Sequence, residues 1–469
     1  HNPYLFLADI YSGCGPVAGF VGAYLDFVPV PLAGDAATEY AADHLWLYRQ
    51  LGQVPEAQAL PSRWPGVPGG SAAHHLSSYA AISWCLRFDE DGKRFASGVP
   101  QTGAVWRGVL AYDPRLDSSY PGGDGPHRWA DPADTEAFDA ARATWTYSRC
   151  PGLQALRYAL GTWERDPRVP GSAYRRTFGV GLPADGIRIA DFVALANVCD
   201  ANRWSVNGVI HEPGVRWTNL KDILAAGGAE PCFVGGRLAV KLSAPRVALD
   251  TITEDDLASD EVEVGAMQGW EDRLNTLIPK YRSGAHKWEY VASDPVTVAG
   301  YLTEDGEEKS DERQYNLVTD KDQAAQLAAY ELLDRRELGD IVITCKPRLR
   351  RYGAGDLLIV DLPNDGLERV PCVVLERSPD TVAMTVRLTL RGETPAKHAF
   401  ALRQVGTAPP TPALGGTEVL DAAVPQPTAV LAEKVGGQVE VVAAQAEIIA
   451  RQQLLLGEYD QRLKNLEAQ

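Results

Sequence analysis

The chain has 469 residues, of which 45% are hydrophobic and 23% charged, and a net charge of −17. That length exceeds what one hydrophobic core supports, so several domains are expected. The acidity argues against a surface that grips duplex nucleic acid, which needs clustered Lys and Arg. In chain order, the stretch 4–32 is strongly apolar, yet Asp9, Pro16, Asp26 and several glycines interrupt it, leaving no run long enough for a membrane span. A signal peptide needs basic residues ahead of its apolar part, and the first Lys or Arg is Arg49. The chain starts at His1 rather than Met, so the first domain is read as open at its N-terminus.

The body reads as β-rich. Segments 5–10 and 21–30 are strand-like, with a turn at 13–19 between them. That turn, GCGPVAG, is a poor match to a dinucleotide loop, because Pro16 sits inside it and no amphipathic helix follows. Four dipeptides read as hairpin turns: Asp91-Gly92, Gly235-Gly236, Asp305-Gly306 and Asp365-Gly366. Segments 62–75 and 113–135, rich in Pro, Gly, Asp and Ser, read as long surface loops.

Helices are fewer. Residues 187–202 place Ile189, Phe192, Val193, Ala196 and Cys199 on one face at helical spacing. Thr218 is the expected N-cap of a short helix that packs Leu220, Ile223 and Leu224 and stops at Gly227-Gly228. Asp320, with Gln323 three later, opens the clearest internal helix, with Ala325, Ala328, Ala329, Leu332 and Leu333 facing inward. From 341 to 390 short alternating strands suggest a small barrel or sandwich.

The acidity is uneven. Between Arg246 and Arg273 lie nine Asp or Glu and no Lys or Arg. A solvated loop is the plain reading; a wall that lets nucleic acid slide past is the sharper one. Seven cysteines without CxxC or CxxH spacing read as small buried apolar residues in a reducing cytoplasm rather than zinc ligands. His74 and His75 are adjacent, and neighbours in extended chain point to opposite sides, so exposure rather than metal ligation is expected. No GxSxG, HExxH or P-loop pattern occurs. Paired carboxylates such as Glu254, Asp255 and Asp256 leave a glycosidase site open, since its partners meet in space rather than along the chain. No cofactor is expected.

After 407–427, a stiff segment with five prolines, the last residues carry a heptad. Val435, Val442, Ile449, Leu456 and Leu463 stand seven apart, and Gln438, Gln445, Gln452, Tyr459 and Leu466 follow each by three. A lone helix gains nothing from that period, whereas a bundle of parallel helices buries the seam. These ten residues are the expected self-association interface, on a helix about 50 Å long. Glutamine layers favour one register at some cost in stability, because their amides must bond to one another or to trapped water. The residues alone leave a dimer or an intramolecular bundle open beside a trimer.

Several segments carry a resemblance. Residues 12–26 (SGCGPVAGFVGAYLD), 103–115 (GAVWRGVLAYDPR), 145–161 (WTYSRCPGLQALRYALG) and 189–204 (IADFVALANVCDANRW) resemble, in order, parts of the central tail hub of long-tailed phages, the tip attachment protein J family, and of gene transfer agents. The helix and hairpin of 220–242, YRSGAHKWE at 281–289, the helix at 324–336 and Gly355-Asp356 continue the series, which spans roughly 10–400. Arg149-Cys150-Pro151 departs from the family's Asn-Pro, a change that touches local capping. The resemblance implies an α+β, β-rich multidomain hub of small barrels or sandwiches with packed helices, plus a C-terminal parallel coiled-coil helix. The expected division is a β-rich domain at 1–120, an α+β domain with the acidic loop at 121–270, a helix and barrel domain at 271–405, the linker at 406–427 and the trimeric helix at 428–469.

The same resemblance implies a non-enzymatic homotrimer at the distal tip of a virion's tail. Its partners there would be distal tail and tail-tip proteins, the tape-measure protein and a host cell-surface receptor, with genome DNA passing through without specific binding. The alternative from another class is a surface or secreted glycan-degrading enzyme oligomerised by its terminal helix.

Overall fold

The computed structural model describes residues 3–59, 75–92, 94–95, 98–166, 169, 171–212, 214–265 and 269–409. All of them belong to one compact unit, His1–Thr411. The fold is mixed α+β and sheet-rich, as the strand patterns and the resemblance imply. Among the described residues no helix is long and apolar enough to cross a membrane.

Two sheets form the N-terminal part. Tyr4–Ser12, Ala80–Arg87, Leu45–Leu51, Ala36–Ala37 and Leu32–Ala33 pair in that order, antiparallel throughout. Val28–Val30, Val17–Leu25, Thr102–Ala111 and Thr146–Tyr147 make the second. Leu25, Leu45, Leu47, Ile82 and Trp84 pack between them as one core. The turn at 13–16 therefore links strands of two different sheets rather than a hairpin. Asp91-Gly92 makes no two-stranded hairpin either. Both edges of Ala80–Arg87 are already paired, and the Asp89 carboxylate accepts from the Asp91 and Arg94 amides, closing a side-chain turn instead.

Seven helices stand among the described residues. In chain order they are α1 (Thr135–Arg142), α2 (Pro151–Leu160), α3 (Ile189–Asn202), α4 (Arg216–Ala225), α5 (Ala299–Asp305), α6 (Lys321–Asp334) and α7 (Ala396–Leu402). The largest core lies among them, with Phe138, Leu156, Phe192, Leu220 and Leu327 in it. Helix α3 falls where its periodicity predicts. Helix α4 starts before Thr218, and Asn219 secures its entry by donating to the Glu212 carbonyl at 2.7 Å. Asp320 caps α6 by accepting from the Asp322 and Gln323 amides at 2.9 Å. Gln323 does not reach back to the cap. It is buried and bonds Ser205 and Ala226 across the core, tying α6 to the segments after α3 and α4. Asp305-Gly306 ends α5, with Gly306 left-handed and its amide on the Leu302 carbonyl, so it is a helix cap and not a hairpin.

Gly235-Gly236 does join the antiparallel pair Ala229–Val234 and Arg237–Leu242. Asp365-Gly366 likewise lies between Leu357–Leu362 and Leu367–Asp380, with Asp365 ending the 3-10 turn Pro363–Asp365 and Gly366 capping it in the left-handed region. These last strands belong to a six-stranded sheet ordered Asp250–Thr253, Leu357–Leu362, Leu367–Asp380, Thr385–Gly392, Ile341–Cys345, Leu257–Val264. Its first and last strands are consecutive in sequence, joined only by the 3-10 turn Glu254–Asp256. The sheet must therefore curl until its ends meet. Ile252, Ile343, Leu358, Val374 and Leu388 fill the resulting barrel. The acidic stretch is thus not a solvated loop: it supplies both closing strands.

Five of the seven cysteines are buried, and burial pushes the thiol of Cys85 up to about 11 and those of Cys345 and Cys372 to about 12. Helices α2 and α3 cross at Gly152, where a Cβ would lie 2.8 Å from the Ala196 nitrogen and 2.9 Å from the Phe192 oxygen. Both obstacles are backbone and cannot rotate away. Gly152→Ala is expected to cost roughly 1–3 kcal/mol of stability, read from urea unfolding of the variant against the parent; an unchanged midpoint would remove this crossing as a constraint.

Candidate functional site

The ten heptad positions, Val435 to Leu466, lie outside the described residues, as does most of the proline-rich segment. Among the described residues, groups of charged side chains mark the barrel closure, its junction with the helices and a smaller cavity. None is evident in the sequence, because each draws on residues far apart in the chain.

The first closes the barrel. Asp250 accepts from Arg348 at 2.6 Å, Arg351 at 2.9 Å and the Tyr352 hydroxyl at 2.8 Å. Asp256 caps its own turn and also accepts from Arg348. Arg348 holds the Asp256 carboxyl below the usual range against the effect of burial. Asp250 and Asp256 are therefore neutralised by arginines, and Glu263 meets Arg387 at 3.6 Å, while Glu254 and Asp255 stay exposed. Asp256 serves a turn and an ion pair, not a carboxylate pair awaiting a substrate.

The second joins the barrel to the helices. Lys397 on α7 is buried and donates to Asp334 at the end of α6 and to Glu393 after the barrel strand, each at 2.6 Å. Glu393 also meets Arg246 at 3.3 Å and the His398 ring at 3.2 Å. Burial would raise the Glu393 pKa, but His398, Lys397 and Arg246 together bring it down to about 2. A cavity of about 760 Å³ borders this seam, and its charged walls are already matched: Arg313 with Glu331 at 3.0 Å, Lys241 with Glu230 at 3.0 Å, Arg391 with Asp334 at 3.3 Å.

The third is different. Loop 13–16, α1, α2 and strand Thr162–Glu164 surround a cavity of about 370 Å³. Arg157 of α2 reaches it over the Trp145 ring, 5.6 Å from the centroid. Arg157 is 8% exposed, and among the described residues no carboxylate pairs with it; its hydrogen bond to the Cys14 carbonyl is 3.5 Å long. Burial, with Arg142 beside it, pushes its pKa down to about 10, so it remains a cation at neutral pH. Opposite stands Glu164, buried and raised in pKa by that burial, although Arg142, Ser78 and Arg157 counteract. Arg142 approaches Glu164 Oε1 only to 3.7 Å. Neither that oxygen nor the buried Ser78 hydroxyl makes a hydrogen bond of ordinary geometry. Gly15, at φ 78°, leaves the space for Glu164: a Cβ there would lie 2.7 Å from Oε1.

The turn that sequence alone reads as a plain strand connection thus forms one wall of this cavity. The motif that resembles the phage family at 145–161 forms another. That Arg157 and Glu164 line one cavity could not be read from sequence, since nothing in the local pattern marks either side chain as buried. His75 bonds the Glu56 carbonyl at 2.9 Å, and its neighbour His74 lies outside the described residues.

No family model matches the chain, and no curated protein matches it. Its solved structural neighbours include a chain of the virion of a native gene transfer agent particle, at 14% identity and a TM-score of 0.48, covering 84% of this chain and 79% of that one. A tail protein from Neisseria meningitidis MC58 aligns at 13% identity and a TM-score of 0.31, over 44% of this chain and 67% of its own. The 43 kDa tail protein of prophage MuSo2 from Shewanella oneidensis aligns at 14% and 0.27, over 40% and 54%. At these scores none of the three assigns a function.

Glu393 generates a pH-dependent expectation. Its folded pKa lies below the unfolded value, so its contribution is complete above about 4.5 and fades as pH falls towards about 2. Glu393→Gln leaves Lys397 with Asp334 at contact distance but removes the carboxylate it shares with Arg246 and His398, and is expected to cost roughly 1–3 kcal/mol at pH 7. The gap between variant and parent should narrow as acid protonates the parent's carboxyl. A gap that stays constant in denaturant unfolding from pH 7 to 3 would contradict this assignment.

Proposed function

We propose that this chain is a structural component of a phage-like tail, a hub at its distal tip that self-associates through its terminal helix and has no catalytic role. The observation that carries the reading is the aliphatic heptad of Val435, Val442, Ile449, Leu456 and Leu463, placed after a stiff proline-rich segment. Such a stripe is stable only when other helices cover it. A trimer is the assembly that the resemblance to tail hubs implies.

The body suits that role. Its charge seams fix barrel and helices in one arrangement, as a part that bears load in an assembly requires. The segments that resemble the tail family fall on elements that build the cores: residues 12–26 on the two N-terminal sheets, 145–161 on α2 and 189–204 on α3. In the hub reading the chain organises distal tail proteins, meets the tape-measure protein and a host receptor, and lines a path for DNA. Overall acidity favours passage over sticking.

One observation favours the glycan-degrading alternative: Glu164, with its raised pKa, shares a cavity with Asp139. Asp139 is engaged, however, by Arg165 at 2.7 Å and by the Tyr174 hydroxyl, which leaves it poorly placed to activate water.

Light scattering on the full chain should give a mass three times that of one polypeptide, and residues 1–411 alone should be monomeric. Ile449→Asp should dissociate the full chain in the same way. A monomeric full chain would overturn the assembly reading. On a gel containing host envelope the full chain should leave no cleared zone; clearing that Glu164→Gln abolishes would favour the enzyme instead.

A further inference from the structure

Among the described residues, the buried charged side chains have an opposite charge within 4 Å, Arg157 excepted. Among the described residues around the smaller cavity stand three guanidinium groups, Arg142, Arg157 and Arg165, against two carboxylates, Asp139 and Glu164, an excess of one positive charge. Arg165 is taken by Asp139 and Arg142 lies against Glu164, so the excess falls on Arg157. A guanidinium removed from water without an anion costs several kcal/mol, and its fork of donors suits a carboxylate. Facing it, Glu164 Oε1 is buried and makes no hydrogen bond of ordinary geometry, with Arg142 3.7 Å away.

We propose that this cavity is a binding site for a small hydroxy acid, its carboxylate on Arg157 and a neighbouring hydroxyl donating to Glu164 Oε1. A monoanion removes the charge excess, and the hydroxyl satisfies the orphan oxygen. A volume of about 370 Å³ sits at the small end of the range for small-molecule sites, which suits a group the size of one sugar acid. The uronic acids of envelope glycans belong to this chemical class. Because Arg142 already flanks Glu164, a neutral sugar gains the hydroxyl contact but leaves Arg157 unmatched. A simple carboxylate matches Arg157 but leaves Oε1 without a donor. The site does not depend on the tail reading, and an enzyme or a hub would carry it equally.

Calorimetric titration of the full chain with sodium glucuronate, glucose and sodium acetate tests the assignment. Glucuronate should bind saturably, one per chain, with glucose and acetate each at least tenfold weaker. Arg157→Met should abolish glucuronate binding, and Arg157→Lys, which keeps the charge without the fork, should weaken it at least tenfold. The ligand series on the parent protein decides the matter even if the methionine variant fails to fold. No saturable heat with glucuronate would overturn the proposal, as would glucose or acetate binding equally well, or full affinity in a folded Arg157 variant.

Discussion

A charge taken out of water needs an opposite charge at contact distance, and Lys397 meets that requirement at the junction of barrel and helices. Asp334 comes from α6, Glu393 from the end of a barrel strand, and Arg246 from the loop after the central hairpin, so one cluster draws on three parts of the chain. Such clusters add little net stability, because desolvation offsets much of the attraction. What they exclude is any arrangement that leaves one member alone. Arg336, just past the end of α6, and Asp305 of α5 repeat the device at 2.9 Å, with the Asp305 side chain fully buried. Arg348 repeats it at the barrel closure. The strongly acidic composition therefore coexists with an interior in which acids are bound to arginine and lysine.

This logic gives the unmatched cluster at Arg157 its meaning. The same chain that surrounds Lys397 with three carboxylates leaves Arg157 without one among the described residues, next to a cavity and a carboxyl oxygen with no hydrogen bond of ordinary geometry. Gly15 supports that arrangement from the facing loop, since any side chain there would press on Glu164.

Much of the fold is legible in the sequence where local physics decides it. The period of α3, the Asp320 cap of α6, the Gly235-Gly236 turn and the late run of barrel strands all follow from spacing and turn chemistry. Misreadings arise where the same local signal serves two structures. Asp-Gly ends a helix at 305–306 and sits in a hairpin at 365–366, and only the flanking packing separates the two. The acidic run reads as loop because its pairing partners, Ile341–Cys345 and Leu357–Leu362, lie far along the chain. The site at Arg157 escapes sequence reading for the same reason: its residues come from the first turn of the chain, two helices and a strand. The heptad is the reverse case, plain in the sequence and outside the described residues.

Central to the account is that the chain is an integral, symmetric part of a phage-like tail. Cryo-electron microscopy of intact particles from the source of this sequence addresses it directly. The account predicts density for the body in three copies about the tail axis at its distal end. Particles with complete tails in which no density fits this fold would contradict it.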